Sequence, residues 1–325
     1  MAATADILSA EYRALTEACG LVDRSERGKL ALTGGEAKAF LQGQVTNDIE
    51  KLEPGAGCYA AFLTHKGKML GDLRVLDLGD ELLLDTERVA LQELFNMIRR
   101  YKLGRDVELH KRTVELGLLS LVGPDARRIA GATAAGLPPR EHANRRAQVG
   151  GADVVLVATD TGIDVLCAAA DTAAVRAALE GAGATPVSEA AAEVVRVEHG
   201  RPRYGIDLDD SVIPQEAGLN ERAVSFTKGC YVGQETVARL FYRGKPNRHL
   251  RGIKLSAPGS KGDALRLGEK EVGRLGSVVV SPVHGPIALA IVRREAAPGD
   301  TLAVGAGDTT AEIVELPFRD LPLAG

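Results

Sequence analysis

Apolar residues along this chain switch between helical spacing and alternation, and the switches mark out its elements. Ile7 to Cys19 keeps the helical spacing and predicts an amphipathic helix, while Glu36 to Gln42, after Gly34-Gly35, predicts a short one. From Tyr59 the pattern becomes a meander of strands. Tyr59 to Thr64 leads through the loop His65-Lys66-Gly67-Lys68 to Met69 to Leu78, and the turn Gly79-Asp80 precedes Glu81 to Leu84. Thr86 is placed to cap a following helix whose apolar positions are Val89, Leu91, Leu94, Met97 and Ile98.

A second cassette repeats the plan: Val154 to Ala158, a turn at Thr159 to Gly162, Ile163 to Cys167, then a helix from Asp171 to Leu179. The recurrence points to two related α/β subdomains. Ser188 to His199 and Gly233 to Leu240 read as further helices. Beyond Pro246 only short strands remain, Leu250 to Leu255, Glu271 to Val280, Ile287 to Val292 and Glu312 to Leu316, separated by Gly and Pro, which predicts a small β-barrel or sandwich. The expected division is 1–247 and 248–325, with an internal boundary between the subdomains at about 113–145.

Composition narrows the picture. At 325 residues the chain suits two or three modules, and its 45% hydrophobic and 26% charged content is that of an ordinary soluble protein. A formal net charge of -4 argues against nucleic-acid binding by bulk electrostatics. The basic stretch Arg239, Arg243, Lys245, Arg248, His249 and Arg251 reads first as a solvated linker. No secretory hydrophobic region opens the chain and no run of about eighteen apolar residues occurs, so a membrane span is not expected and the protein is placed in the cytoplasm. Cys19, Cys58, Cys167 and Cys230 form no C-x-x-C, so neither a four-ligand metal site nor a cluster held by this chain alone is expected. Gly55 to Ala60 matches G-x-G-x-x-A on paper, but it precedes a strand rather than joining a strand to a helix, so it does not bind a dinucleotide.

One stretch is far more specific. Lys228-Gly229-Cys230-Tyr231-Val232-Gly233-Gln234-Glu235 resembles the K-G-C-Y/F-x-G-Q-E signature of the YgfZ family of folate-dependent proteins. Leu41-Gln42-Gly43-Gln44-Val45-Thr46-Asn47-Asp48 resembles that family's early L-Q-G element, and Val195 to Leu219 resembles the segment it shares with aminomethyltransferases. The resemblance implies an α+β protein of the glycine-cleavage T-protein type: two related α/β subdomains form a folate cleft and a small carboxy-terminal β-barrel closes it. The implied partners are tetrahydrofolate and iron–sulfur client or assembly proteins, with no nucleic acid and no membrane. The implied function is support of iron–sulfur cluster assembly or repair. The alternative is a folate-dependent aminomethyltransferase or related demethylase.

The same resemblance nominates residues. Glu198 stands at the R-x-E-x-G position and is expected to accept from the pterin edge, where a carboxylate matches adjacent N–H donors. Tyr204 is a weaker candidate for packing on the ligand. Asp72 stands where aminomethyltransferases carry a paired D-D-L, with Gly71 replacing the first acid, which casts doubt on methylene transfer. Arg243 is the expected contact for the anionic folate tail. Cys230 is the expected reactive group, because a helix start and Lys228 both favour thiolate, and Gly229 and Gly233 leave room for a partner. Cys19, Cys58 and Cys167 are expected in the core.

Overall fold

The computed structural model describes residues 2–318, with side chains from residue 7. Two sheets meet face to face. The first is six-stranded, in the order Thr185–Pro186, Gly20–Asp23, Leu116–Val122, Gly162–Ala168, Ala152–Ala158, Asn144–Val149. The second is five-stranded, in the order Gly57–Leu63, Met69–Asp77, Leu82–Thr86, Gly28–Thr33, Glu108–Lys111.

Burial on both faces explains the near-continuous apolar runs at Leu82 to Leu84 and Leu118 to Leu121. Helices Ala37–Gln42 and Leu91–Tyr101 cover the outer face of the five-stranded sheet around Phe62, Leu73, Val75 and Leu94. Helix Thr172–Gly181 and two short helices cover the outer face of the other sheet around Leu119, Leu121, Val165 and Leu179. Between the layers Ala31, Leu76 and Leu83 meet Leu118, Val157 and Leu166. Because strand side chains alternate, the inner face that holds Leu76 also holds Asp72 and Arg74; the one that holds Leu83 also holds Asp85, and the one that holds Leu166 also holds Asp164. The interface between the sheets is therefore apolar at one end and charged at the other.

The chain reaches this arrangement by insertion. Gly20–Asp23 pairs antiparallel with Leu116–Val122, and the whole five-stranded sheet, residues 28–111, lies between these two neighbours in sequence. The expected division at 113–145 therefore does not separate the subdomains, since the six-stranded sheet draws its second strand from before residue 24. Local pattern does not reveal such a pairing.

Helix Ala2–Glu17 packs on helix Glu189–Glu198 through Tyr12, Leu15, Ala191 and Val195. The latter helix starts at Ser188, whose Oγ accepts from the Ala191 amide at 3.3 Å, as an N-cap should. Its other side meets the closed six-stranded barrel, Val197 against Leu250, Ile287 and Leu289. The barrel includes Ala264–Leu267 and Thr301–Val304, two short strands that the hydrophobic pattern did not mark. Thr86 caps nothing: it ends a strand and its hydroxyl donates to the Asp72 carbonyl, and the helix begins only at Leu91 with Val89 exposed. No helix among the described residues is long and apolar enough to cross a membrane.

Candidate functional site

At the charged end of the interface between the sheets lies a cavity of about 200 Å³. Its wall carries seven arginines, Arg24, Arg27, Arg74, Arg196, Arg201, Arg203 and Arg222, against five acids, Asp72, Glu87, Glu141, Asp160 and Asp164, and it also includes Tyr59, His142, His199 and Tyr204. Each of these arginines is ion-paired, Arg24 with Glu189, Arg27 and Arg74 with Asp85, Arg196 with Glu193 and Asp207, Arg201 with Asp160, Arg203 with Glu189 and Glu193, and Arg222 with Glu141. The wall is therefore a network of paired charges that offers a ligand both donors and acceptors.

The floor is an ion network that spans both sheets. Arg74 donates from Nε to Asp85 at 2.6 Å and from Nη1 to Asp164 at 2.5 Å, joining a strand of one sheet to a strand of the other. Arg27 grips both oxygens of Asp85, at 2.8 and 3.0 Å, and also bonds Glu87. Burial alone would raise the Asp85 carboxyl, but the two guanidiniums outweigh it and hold the group well below the usual carboxylate range. Ser120 donates to the second Asp164 oxygen at 2.6 Å.

Asp72 sits above this floor. It is buried, and Tyr59 donates its hydroxyl to Oδ2 at 2.6 Å. Burial pushes the Asp72 carboxyl up to about 6; the Tyr59 bond pulls it back only in part, and Glu87 adds to the rise. A carboxyl poised near neutral pH, with a hydroxyl beside it and a cavity in front, can hold or exchange a proton with a ligand. Tyr204 lines the same cavity, its phenol pushed up to about 12 by burial.

Gly71 lies on the opposite face of the strand, so its lack of an acid is no mark against cavity chemistry. A Cβ there would stand 2.6 Å from the Phe62 ring and 2.7 Å from Ala90, inside the apolar core. The acid that faces the cavity is the one this chain retains.

The remaining nominated residues lie elsewhere. Glu198 does not line the cavity. Its carboxylate is fully buried between helix and barrel, where Tyr12 donates to both oxygens at 3.0 and 2.9 Å and Ser281 donates to Oε1 at 2.5 Å. Two hydroxyl protons, from Tyr12 and Ser281, reach this carboxylate, which stands outside the cavity wall. Arg243 is exposed at the end of helix Gln234–Arg243, and it too is absent from the cavity wall.

The Lys228–Glu235 segment makes a second, separate feature. Lys228 is buried and donates to the carbonyls of Gln42, Val45 and Asn47 at 2.6, 2.7 and 2.7 Å. Two motifs 186 positions apart in sequence thus lock onto one another. Burial lowers the ammonium to about 8, and the nearby groups that offset this are Asp48, Cys58 and Glu50. Its charge is directed inward, not toward Cys230 as expected. Tyr231 is buried, whereas Cys230 is exposed. Gly233, with φ 83°, lets this loop touch the hairpin at residues 64–67, because a Cβ there would meet the Thr64 carbonyl at 2.5 Å. Gln234 and Glu235 open the helix, with Glu235 in its first turn, and Gly229 stands in open space. Cys19, Cys58 and Cys167 are buried, and burial pushes the thiols of Cys19 and Cys58 up to about 12. Among the described residues no group of three or more His, Cys, Asp or Glu could hold a metal ion.

A linkage runs between the two features. Asn47, one of the Lys228 acceptors, donates from Nδ2 to the carbonyls of Tyr59 at 2.8 Å and Arg222 at 3.3 Å, and both of those residues line the cavity. Sequence reading missed Tyr59, Arg74, Asp85, His142, Asp164 and Arg222. The available signal was a charge interrupting an apolar strand, as in Leu73-Arg74-Val75, Leu84-Asp85 and Ile163-Asp164-Val165.

Comparison with known proteins follows the same architecture. The GCVT N-terminal domain family matches residues 2–228. An aminomethyltransferase of Geobacillus kaustophilus is 31% identical over 95% of this chain and 89% of its own length. A chloroplast protein of Arabidopsis thaliana described as a putative transferase is 28% identical over 92% of this chain and 71% of its own. Among solved structures, the glycine cleavage system aminomethyltransferase T of Bartonella henselae superposes with a TM-score of 0.84 at 23% identity, covering 97% of this chain and 90% of that one. The shared architecture is two packed sheets and a closed barrel, and the chain belongs to the GCVT N-terminal domain family, with a T-protein-like fold.

Proposed function

We propose that the protein binds a reduced folate in the cavity between its two sheets and supports assembly or repair of iron–sulfur proteins in the cytoplasm, with Cys230 as its chemically active group. The observation that carries the folate reading is Asp72: a buried carboxyl bonded to Tyr59, facing a cavity walled by arginines. At about 200 Å³ the cavity is smaller than the roughly 300–1,000 Å³ of sites that enclose a drug-sized ligand whole. It suits a bicyclic ring inserted end-on, with the anionic tail left among the arginines at the mouth. Asp72 would accept from the ring's N–H edge, Tyr204 would pack on its face, and Arg201 or Arg203 would meet the tail. The fit rests on this chain's own groups, a poised carboxyl bonded to Tyr59 and a wall rich in guanidinium donors.

The iron–sulfur reading rests on the Lys228–Glu235 motif and on where it is held. Its cysteine is exposed on a loop whose backbone is fixed by the Lys228 bonds and the Gly233 contact, a fitting place for a thiol that meets a partner protein. The test is paired: calorimetry with tetrahydrofolate, and iron–sulfur enzyme activities in cells carrying only the Cys230→Ser protein. Tight folate binding with failing iron–sulfur enzymes supports both halves. Normal enzymes in those cells remove Cys230 from the function.

A second reading is aminomethyl transfer, the activity for which the Geobacillus kaustophilus relative is named. Asp72 favours it, since this acid faces the cavity and sits near neutral pH. Methylene transfer from a lipoyl-bound aminomethyl group to tetrahydrofolate by the purified protein, lost in Asp72→Asn, would establish it over the first.

A further inference from the structure

His142 is the least satisfied side chain on the cavity wall. It is 4% exposed, and neither ring nitrogen has a hydrogen-bond partner. Nε2 lies 3.5 Å from Glu141 Oε1 but makes no hydrogen bond to it. Buried polar groups are almost always paired, so an imidazole with both nitrogens idle needs an explanation.

The backbone sharpens the point. His142 is the one non-glycine among the described residues with positive φ, at 69°. The strained turn is held from several sides. The His142 amide donates to the Ala158 carbonyl at 2.8 Å, and Asn144 Nδ2 donates to the carbonyls of Ala56 at 2.9 Å and His142 at 3.3 Å. Gly57 is what admits this turn, because a Cβ there would come within 2.9 Å of the His142 Cβ. Gly57 and Tyr59 share one face of their strand, so the imidazole is brought to the face that carries the Tyr59–Asp72 pair. A residue held in a rare conformation with unused hydrogen-bonding capacity, at a cavity, marks a place where the fold serves a ligand. A second idle buried atom on the same wall, Arg222 Nε, points the same way.

We infer that His142 is a ligand-contacting residue of this cavity, presenting a neutral imidazole, one nitrogen donating and the other accepting, to the mixed donor and acceptor edge of a pterin-like heterocycle. Burial together with Arg74 and Arg222 pushes the ring down to about 3, so it stays uncharged at physiological pH and does not repel the neighbouring arginines. The inference rests on the folate reading and supplies an edge contact from the cavity wall itself, on which Glu198 does not stand.

The test is tetrahydrofolate calorimetry on the wild type, His142→Leu and His142→Asn. His142→Leu should weaken binding at least tenfold with at most a small drop in the unfolding midpoint, since removal of an unpaired buried polar group offsets the strain of leucine at positive φ. His142→Asn, which tolerates positive φ and keeps a donor and an acceptor, should recover part of the loss. A purely structural histidine would show the reverse: lost stability and unchanged affinity. If the wild type binds and His142→Leu binds equally well, the inference falls and the folate reading stands. If the wild type does not bind, both fall. Should His142→Leu not fold, nitrogen-15 spectra of the wild-type histidines decide: tetrahydrofolate must shift both His142 ring signals, identified by their absence in His142→Asn, and unmoved signals overturn the contact.

Discussion

Lys228 and His142 are both nitrogen-bearing side chains withdrawn from water, and the regions around them treat that nitrogen in opposite ways. The loop around Lys228 turns three carbonyls onto one ammonium and so joins two distant pieces of chain. The wall around His142 bends the backbone into a rare conformation, then leaves the ring without a partner. A completed polar cluster adds rigidity; an incomplete one costs stability unless something arrives to complete it. Burial alone therefore does not tell a structural pin from a binding group. What separates the two regions is the count of satisfied atoms.

The comparison can be broken most forcefully at the pin. Lys228→Met removes three charge-assisted bonds and leaves their carbonyls facing inward, so it should cost about 3–4 kcal/mol in urea unfolding. Little change would mean that the clasp is dispensable. Asp72→Asn should do the opposite. Because burial raises the Asp72 pKa to about 6 from 3.8, its favourable contribution is complete below pH 3.8 and is lost as pH rises through 6. Above pH 6 the buried carboxylate is a net cost, so the asparagine should stabilise the protein there by about 2–3 kcal/mol and by almost nothing at pH 3.5. Folate affinity should fall at the same time.

His142 gives a pH window of its own. Its pKa drops from 6.5 to about 3, so its contribution is full above pH 6.5 and is lost as pH falls through 3. His142→Asn should flatten that acid dependence, an effect of about 2 kcal/mol by pH 5. Comparing unfolding curves of wild type and variant at pH 7.5 and pH 5 measures it. The smallest effect belongs to Cys230→Ser, an exposed position, expected within about 0.5 kcal/mol of wild type. In the wild type, limiting iodoacetamide followed by peptide mapping should label Cys230 before Cys19, Cys58 or Cys167, which are buried. Equal labelling would make the motif a packing device alone.

The legible parts of this molecule were those with local causes. Alternation marked the hairpin around Gly67 and four of the six barrel strands, and the Lys228–Glu235 motif marked a loop whose lysine is pinned to a distant segment. Glu198 shows why the rest was hidden. Its burial depends on Tyr12 and Ser281, which lie 186 and 83 positions away, so neither helical position nor motif could say which way it faced. Asp72 could be nominated but not its companions, because Arg74, Asp164 and His142 come together only when two sheets pack. Gly71 was misread for a simpler reason: alternation along a strand places neighbours on opposite faces, and only one of them sees the cavity.

The inserted sheet sets an order of events during synthesis. Every strand of the five-stranded sheet has been made once Lys111 leaves the ribosome, whereas the six-stranded sheet lacks its edge strand until Pro186. Gly20–Asp23, made early, must wait for Leu116–Val122 before it has its antiparallel neighbour, and the intervening residues can shorten that wait only by collapsing first. Asp85 and its arginines are thus made while Asp164 is still to come, about eighty residues later, and the barrel strands are made only after the last residue of the cavity wall, Arg222.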